Sequence, residues 1–538
     1  MSAPPLRPAA SAFPALAISV ACAAFFVLSL MATPGGVPPA SDSQHYADIA
    51  RNLLRGNGFE VDFIEYHLGL RPGVRHVPEH HGILRPITLV PLFAIFGTDS
   101  ALLRVPGLAY RALSGLVGFF LARRLFGTAA GVVAVVVILG DGLLSVTALN
   151  GSDDTGFAFF CLCAVGALER GLRGGREAWF ALGGLAAGFA VLEKQIGVFL
   201  PAILLVPLLG AWRAPRVVAL RRAGLAMAPF SLCLALYLVR NQLSYGSPGF
   251  RLYPLHLIFS MAGYEGVYRL YPETLRPGEV LDWVGRANVV TFVARQLGVF
   301  ARDVVGLPLP GTRGGFGISN LVIALGFASV ALLVRARPAY CLLCASCTAG
   351  AVAFVSGMWH IDIRFFAFLV PLLAVALAGA LTWGVRGVGS GWQRWSLRAA
   401  ALLAGLAVLA PSGVSIARTL VAAISAPAAA PPASLCADAL AWLRSHSAAE
   451  DRVVSLDPWS VAWDADRFGI MAPAGGVGPI ETVVRHYDAR FLLDRRFPQR
   501  EETRRALRAF AANPPADLQT ELVFDGAHCD VIALHRVP

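Results

Sequence analysis

The run SAFPALAISVACAAFFVLSLMAT, Ser11–Thr33, holds no charged residue, and SDSQHYADIARNLLRGNGFE, Ser41–Glu60, follows it closely. The first is long enough to cross a hydrocarbon core of about 30 Å as a helix. The second changes character at once. Ser41 is expected to cap a helix, with Gln44 completing a capping box. Tyr46, Ile49, Ala50, Leu53 and Leu54 recur at helical spacing, Arg51, Asn52 and Arg55 sit largely off that stripe, and Gly56 ends it. A helix patterned this way is expected to lie flat on a membrane surface. Asp42, four residues before Tyr46, leads its apolar face, so its carboxylate is expected to point towards the membrane-embedded body. The plainer reading is an acid that favours a helix N-terminus.

The rest of the chain keeps to the pattern of the first run. It has 538 residues, 56% hydrophobic and 15% charged, against about 25% charged in a soluble domain. Its mean hydropathy is +0.62. Apolar runs are expected to span at 11–33, 101–125, 128–149, 152–172, 177–193, 196–212, 222–240, 316–335, 338–358, 363–385 and 396–420. The first is expected to be a retained span, because no A-x-A cleavage site stands out after it. The fold class is therefore a polytopic α-helical membrane protein of about eleven transmembrane helices, with surface amphipathic helices and a C-terminal soluble α/β domain.

The net charge of +11 does not call for a nucleic-acid partner. Arginines cluster in alternate short turns: Arg123 and Arg124; Arg170, Arg173 and Arg176; Arg213 to Arg222; Arg335 and Arg337; Arg386 to Arg398. With the N-terminus cytoplasmic, all fall on the cytoplasmic side. Residues 1–425 then form a transmembrane domain with outer loops 34–100 and 241–315. After the linker AISAPAAAPPAS, residues 432–538 form an outer α/β domain. Its strands are expected at RVVSL, ARFLLDR, TELVF and CDVIALHRV, and its helices at ADALAWLRSH and REETRRALRAFAAN. Seven of the nine cysteines fall in spans, where CLLCASC reads as small-residue packing. Cys436 and Cys529 fall in the outer domain, where a disulfide between them suits an oxidising compartment.

Ionisable residues gather on the outer side at membrane level. They are Asp42; Arg85 of RP, which opens a second surface helix; Asp153 and Asp154 of SDD, at the mouth of a span; Lys194 beside Glu193; and His360 and Arg364, four apart on one face. Carboxylates and arginines together suit an anionic lipid head group and a hydroxyl to be activated. His76, His80 and His81 with Glu79 offer ligands for a divalent ion, against the alternative of a solvated His-rich loop.

These residues, in order, resemble the GT-C glycosyltransferases, in the branch of the protein mannosyltransferases and aminoarabinose transferases. The likeness rests on an acid soon after the first span; Ala50, Leu53, Gly56, Gly58 and Phe59 of A-x-x-L-x-x-G-x-G-F; Arg85–Pro86; ARRLFG (122–127); SDD (152–154); LEKQIG (192–197); VRNQLSYGSP (239–248); and RFFAFLVPLLAVALAGAL (364–381). It covers roughly residues 40–390. The departures bear on acceptor and metal: Leu84 stands where an acid often adjoins the basic-Pro pair, the base is arginine rather than lysine, and Ser43 follows Asp42. The resemblance implies a polyprenyl-phosphate sugar donor, inversion at the anomeric carbon, and a bacterial inner membrane with the C-terminal domain periplasmic. The acceptor, whether glycan, lipid or protein, stays open. On this reading Asp42 is the base and Asp153 or Asp154 positions the acceptor. Arg85, Arg364 and Lys194 meet the donor phosphate, with Tyr46 and His360 accessory. No cofactor is implied outright; a divalent metal would draw on Asp42, Asp154, His80 or His81. The alternative is a transporter or flippase of a sugar or lipid-linked sugar, which would carry its charges deep within spans.

Overall fold

The computed structural model describes residues 13–32, 41–65, 67, 69–78, 81–174, 176–209, 215–246, 248, 268–270, 297–298, 317–355, 363–383, 392–425, 436–495 and 500–537. Helices dominate: α1 (Phe13–Met31), α2 (Ser41–Leu54), α3 (Leu84–Phe96), α4 (Arg104–Phe126), α5 (Thr128–Gly140), α6 (Gly142–Leu149), α7 (Asp154–Leu172) and α8 (Ala178–Glu193). Helices at Arg216–Tyr245, Gly317–Leu333, Pro338–Val355, Leu369–Trp383 and Trp392–Ser425 follow.

Among the described residues, four helices are long and apolar enough to cross a membrane: Phe13–Met31, Ser100–Phe126, Asp154–Leu172 and Arg216–Tyr245. The bent pair α5–α6 makes a fifth if counted as one span. Most of the other expected spans are shorter apolar helices, among them Ala178–Glu193, Pro338–Phe354 and Leu369–Thr382. The expected run 396–420 lies within the 34-residue helix Trp392–Ser425.

The expected span 128–149 is broken, with a bend of 51°. The cause is Asp141, fully buried and extended in backbone, whose carboxylate accepts from the Leu144 amide at 2.9 Å. A side-chain cap of this kind starts a new helix instead of continuing the old one. The expected span 196–212 is interrupted too. It is a 3-10 turn Gln195–Phe199, then Pro201–Leu204 and Val206–Leu209, with prolines at 201 and 207 limiting each piece.

The core lies where α7 packs against α4 and α8, with Leu369–Trp383 closing it. Phe157, Phe199 and Phe368 meet there edge to face or tilted.

The C-terminal part forms a six-stranded sheet in the order β1-β3-β2-β4-β6-β5. Its strands are β1 (Phe63–Ile64), β2 (Arg452–Ser455), β3 (Phe468–Met471), β4 (Phe491–Arg495), β5 (Leu518–Asp525) and β6 (Cys529–Arg536). β1 to β4 pair in parallel, and β6 runs antiparallel to both β4 and β5. Alternation decides the faces. Val453 and Leu493 turn towards helices Ala437–His446 and Pro458–Ala465, while Val454 and Leu492 turn towards Val477–His486 and Glu501–Ala512. Cys436 and Cys529 are joined in a disulfide with Cα atoms 5.5 Å apart. The sheet is not confined to 432–538, since β1 comes from the loop after α2.

The surface-helix expectation for α2 needs correction. Residues Ser43 to Asn52 are all buried, because α3 and helix Pro458–Ala465 pack on it. Gln44 closes no capping box; its amide nitrogen donates to Ser460 Oγ at 3.1 Å and Asp464 Oδ2 at 3.2 Å. Arg51, expected off the apolar face, donates to the carbonyls of Ala462 and Trp463 and to Asp48. The polar face of α2 is a docking surface for the C-terminal part rather than a wetted one.

Candidate active site

Four separate segments meet above the N-terminus of α7. Ser152 ends the loop before it: its hydroxyl donates to Asp154 Oδ2 at 2.5 Å and accepts from the Asp154 amide at 3.3 Å. This local bonding holds Asp153 and Asp154 at the helix start, 3% and 1% exposed. Lys194, the residue after α8, reaches both. Its ammonium donates to Asp153 Oδ1 at 2.8 Å and also to Asp154 Oδ1. From α2, Tyr46 donates its phenol to Asp153 Oδ2 at 2.6 Å. Asp42, one turn earlier and 22% exposed in its side chain, accepts from Arg364 at 2.6 Å. The ring of Phe365 lies 5.5 Å from the Lys194 ammonium and 5.6 Å from the Arg364 guanidinium.

Asp42, Tyr46, Asp153, Asp154, Lys194 and Arg364 are thus brought together. Among the described residues, three carboxylates and two cations meet there. The accessible pair is Asp42 and Arg364; the aspartates of α7 lie beneath.

Arg85 sits elsewhere. It is fully buried, donates to the carbonyl of Ser152, stands 3.8 Å from Glu193 and lies over the Tyr110 ring. Its charge is directed at the scaffold of the SDD turn and not at the opening beside Asp42. Glu193, equally buried, is its carboxylate neighbour, a role that its position beside Lys194 in the sequence does not reveal. Gly82 and Gly156 both pack on it so closely that a Cβ at either would collide with Glu193. His360 and His80 lie outside the described residues.

A second cluster lies beside the first. His45, Glu65 and His81 bring ligand atoms within 4.8 Å of one another. The imidazole of His45 meets that of His81, and Glu65 Oε2 is 3.8 Å from His45 Nε2. Two imidazoles and a carboxylate fit a divalent transition ion. Among the described residues, His81 is the one expected ligand that takes part, and it is buried instead of solvated. Asp42 and Asp154 belong to the first cluster. His45 and Glu65 lie 36 and 16 residues from His81 in a chain with no local metal spacing, so nothing in the sequence singles them out.

Outside the membrane body, two carboxyls at the junction of α2 with the sheet are perturbed. Burial pushes Asp48 up to about 6 against the opposing pull of Arg51, and burial pushes Asp464 up to about 6 against Arg51 and Arg444.

Comparison with known proteins agrees with this architecture. Residues 80–237 match the family described as dolichyl-phosphate-mannose-protein mannosyltransferase. The structure resembles ArnT from Cupriavidus metallidurans bound to undecaprenyl phosphate, with a TM-score of 0.56 at 15% identity over 97% of this chain and 98% of that one. It also resembles the Archaeoglobus fulgidus oligosaccharyltransferase in its apo form, with a TM-score of 0.57 at 17% identity over 89% of this chain and 69% of that one. No curated protein sequence matches. The chain therefore shares its fold with these two proteins, and part of its membrane body resembles the mannosyltransferase family.

Proposed function

We propose that this chain is a membrane glycosyltransferase that moves a sugar from a polyprenyl-phosphate-linked donor to an extracytoplasmic acceptor, with inversion. The observation that carries it is the Asp42–Arg364 pair standing open above Asp153, Asp154 and Lys194. ArnT, similar in fold, was solved with undecaprenyl phosphate, which supports a lipid-phosphate partner here. The site-bearing face is then the extracytoplasmic one, and the shorter apolar helices complete about eleven passes.

The chemistry needs a base and a cation that act together. The acceptor oxygen attacks the anomeric carbon, its proton passes to Asp42, and the bond from carbon to phosphate oxygen breaks with its electrons going to polyprenyl phosphate. Arg364 meets that charge and Lys194 supports it. In the free protein Arg364 is occupied by Asp42. A donor phosphate that takes Arg364 would release Asp42 for the acceptor, so that donor binding prepares the base. Asp153, held by Tyr46 and Lys194, keeps the ammonium in register, and Arg85 acts through the Ser152 carbonyl to hold the SDD turn. An ion at His45, Glu65 and His81 would tie α2 to the segment between β1 and α3 and supply a fixed positive charge beside the site.

The test is release of polyprenyl phosphate from a labelled polyprenyl-phosphate sugar by the purified protein. A transporter is the second reading, favoured by the helix break at Asp141 with Arg111 buried beside it. Movement of the labelled lipid across a vesicle bilayer without cleavage would establish that reading instead.

A further inference from the structure

The membrane body carries another concavity, which sugar transfer leaves unused. A groove of about 460 Å³ runs between α4, α7 and α8. Along α7 it extends from Phe159 to Arg170. Those eleven helical steps rise about 16 Å, which is half of a ~30 Å hydrocarbon core, or one leaflet. Phe160 and Phe189 tilt against each other with ring centres 5.6 Å apart at its inner end. Gly166 and Ala167 leave the wall of α7 shallow, and the lining is apolar except at the far mouth.

That mouth holds Arg124, Arg170 and Trp179. The Arg170 guanidinium lies 4.3 Å from the centre of the Trp179 ring. Arg170 has no carboxylate within ion-pair distance among the described residues; buried Glu169 is taken by Arg124 at 3.3 Å and Arg173 at 3.5 Å. The mouth is therefore cationic, with an indole at the level where a membrane meets water. From Asp154 to Arg170 the helix rises about 24 Å, so the mouth opens at the opposite membrane face from the candidate active site.

We propose that this groove holds one acyl chain of an anionic glycerophospholipid from the leaflet opposite the transfer site, its phosphate seated at Arg170 and Arg124. The length matches one leaflet, and the charge matches a phosphate with no compensating cation of its own. A polyprenyl donor would have its phosphate at the wrong end.

Native mass spectrometry of the full chain in detergent tests this. Phosphatidylglycerol and phosphatidylcholine of equal chain length are added to the wild type and to Arg170→Gln, Arg124→Gln and Ala167→Trp. The wild type should retain one phosphatidylglycerol in preference to phosphatidylcholine. Each arginine substitution should cut that preference roughly fivefold, the weight of one basic residue at an anionic surface. Ala167→Trp, which fills the groove, should lose the retained lipid of either kind. Undecaprenyl phosphate should bind without displacing it. Arg170 is exposed, so its variant keeps the test valid even where Ala167→Trp does not fold. Equal retention of the two lipids, an unchanged preference in the arginine variants, retention by folded Ala167→Trp, or displacement by undecaprenyl phosphate would each overturn the proposal.

Discussion

Arg364 donates to the Asp42 carboxylate at 2.6 Å across 322 residues of chain. The pair joins the first turn of α2 to the 3-10 turn Ile363–Phe366, and it stands at the open side of a cluster whose other acids are buried. If Asp42 is the base, Asp42→Asn should lower transfer by about a hundredfold to ten-thousandfold while the lipid donor still binds. Arg364→Ala should weaken donor binding and slow transfer together, because a cation facing phosphate acts in both ground and transition states. Transfer from a labelled donor, with donor binding measured separately, checks both. Near-normal turnover in folded Asp42→Asn would move Asp153 and Asp154 to first place.

Lys194 bridges two buried carboxylates, and this makes its loss costly. Lys194→Met should destabilise by about 3–5 kcal/mol, the usual cost of stranding one partner of a buried pair. Lys194→Met combined with Asp154→Asn removes one stranded charge and should recover part of the Tm. It should not recover transfer, since the cation is still missing. Thermal unfolding in detergent and a transfer assay separate the two effects. Full recovery of transfer in the double variant would reduce Lys194 to a structural role.

Arg85 calls for the opposite pattern. It is fully buried against Glu193 and the Ser152 carbonyl, so Arg85→Ala should lower Tm first. Among molecules that fold, donor binding should change little while transfer falls. A large loss of donor affinity with unchanged Tm would return Arg85 to the phosphate site.

The residues that assemble the candidate site were legible for a chemical reason. Asp42, Asp153, Asp154, Lys194 and Arg364 are charges at the ends of apolar runs, where an isolated charge is unfavourable unless something meets it. What met them was not legible. The pairing of Asp42 with Arg364 depends on helix packing across most of the chain, and the burial of Arg85 depends on Gly82 and Gly156 closing round Glu193. The apolar stripe of α2 was readable, yet its polar face was misread as wet, because the covering helix Pro458–Ala465 is encoded more than 400 residues later. The strands at Arg452 and Phe491 were legible as short apolar runs buried on both faces, and the strand at Cys529 as an alternating one. β1 was not: two residues in a loop carry no periodicity, and only the free edge of β3 makes them a strand.

That same junction should respond to pH. Asp48 and Asp464 both have folded-state pKa values raised to about 6 by burial, above the unfolded value of about 4. The folded state therefore holds their protons more tightly. Stability from these groups is present below the unfolded pKa and is lost as pH rises through 6. Asp466 is shifted the other way, lowered by Arg55 and Arg51 despite burial, so its contribution disappears only at pH below the usual carboxylate range. Between pH 4.5 and 7.5 the Tm should fall as pH rises, and Asp464→Asn should flatten the slope. A Tm that rises through this window, or an unchanged slope in Asp464→Asn, would show that the two carboxyls are not held protonated at the interface.

The cluster of His45, Glu65 and His81 makes a prediction with a readout independent of transfer. His45 precedes Tyr46, the residue that donates to Asp153, so anything that fixes His45 also fixes the part of α2 that carries the site. Metal analysis of the purified protein should find about one divalent transition ion per chain, as a set of two imidazoles and a carboxylate would hold. His81→Ala should abolish it, and so should Glu65→Gln, because the charged ligand is lost while the size is kept. Below about pH 6 the ion should dissociate, since imidazoles must be neutral to bind and the ordinary histidine pKa is about 6.5. Chelation should lower the Tm of the wild type and leave that of His81→Ala unchanged. Protein purified without chelator that holds no ion, and whose Tm does not respond to added zinc or manganese, would leave the three side chains as packing within the α2 interface.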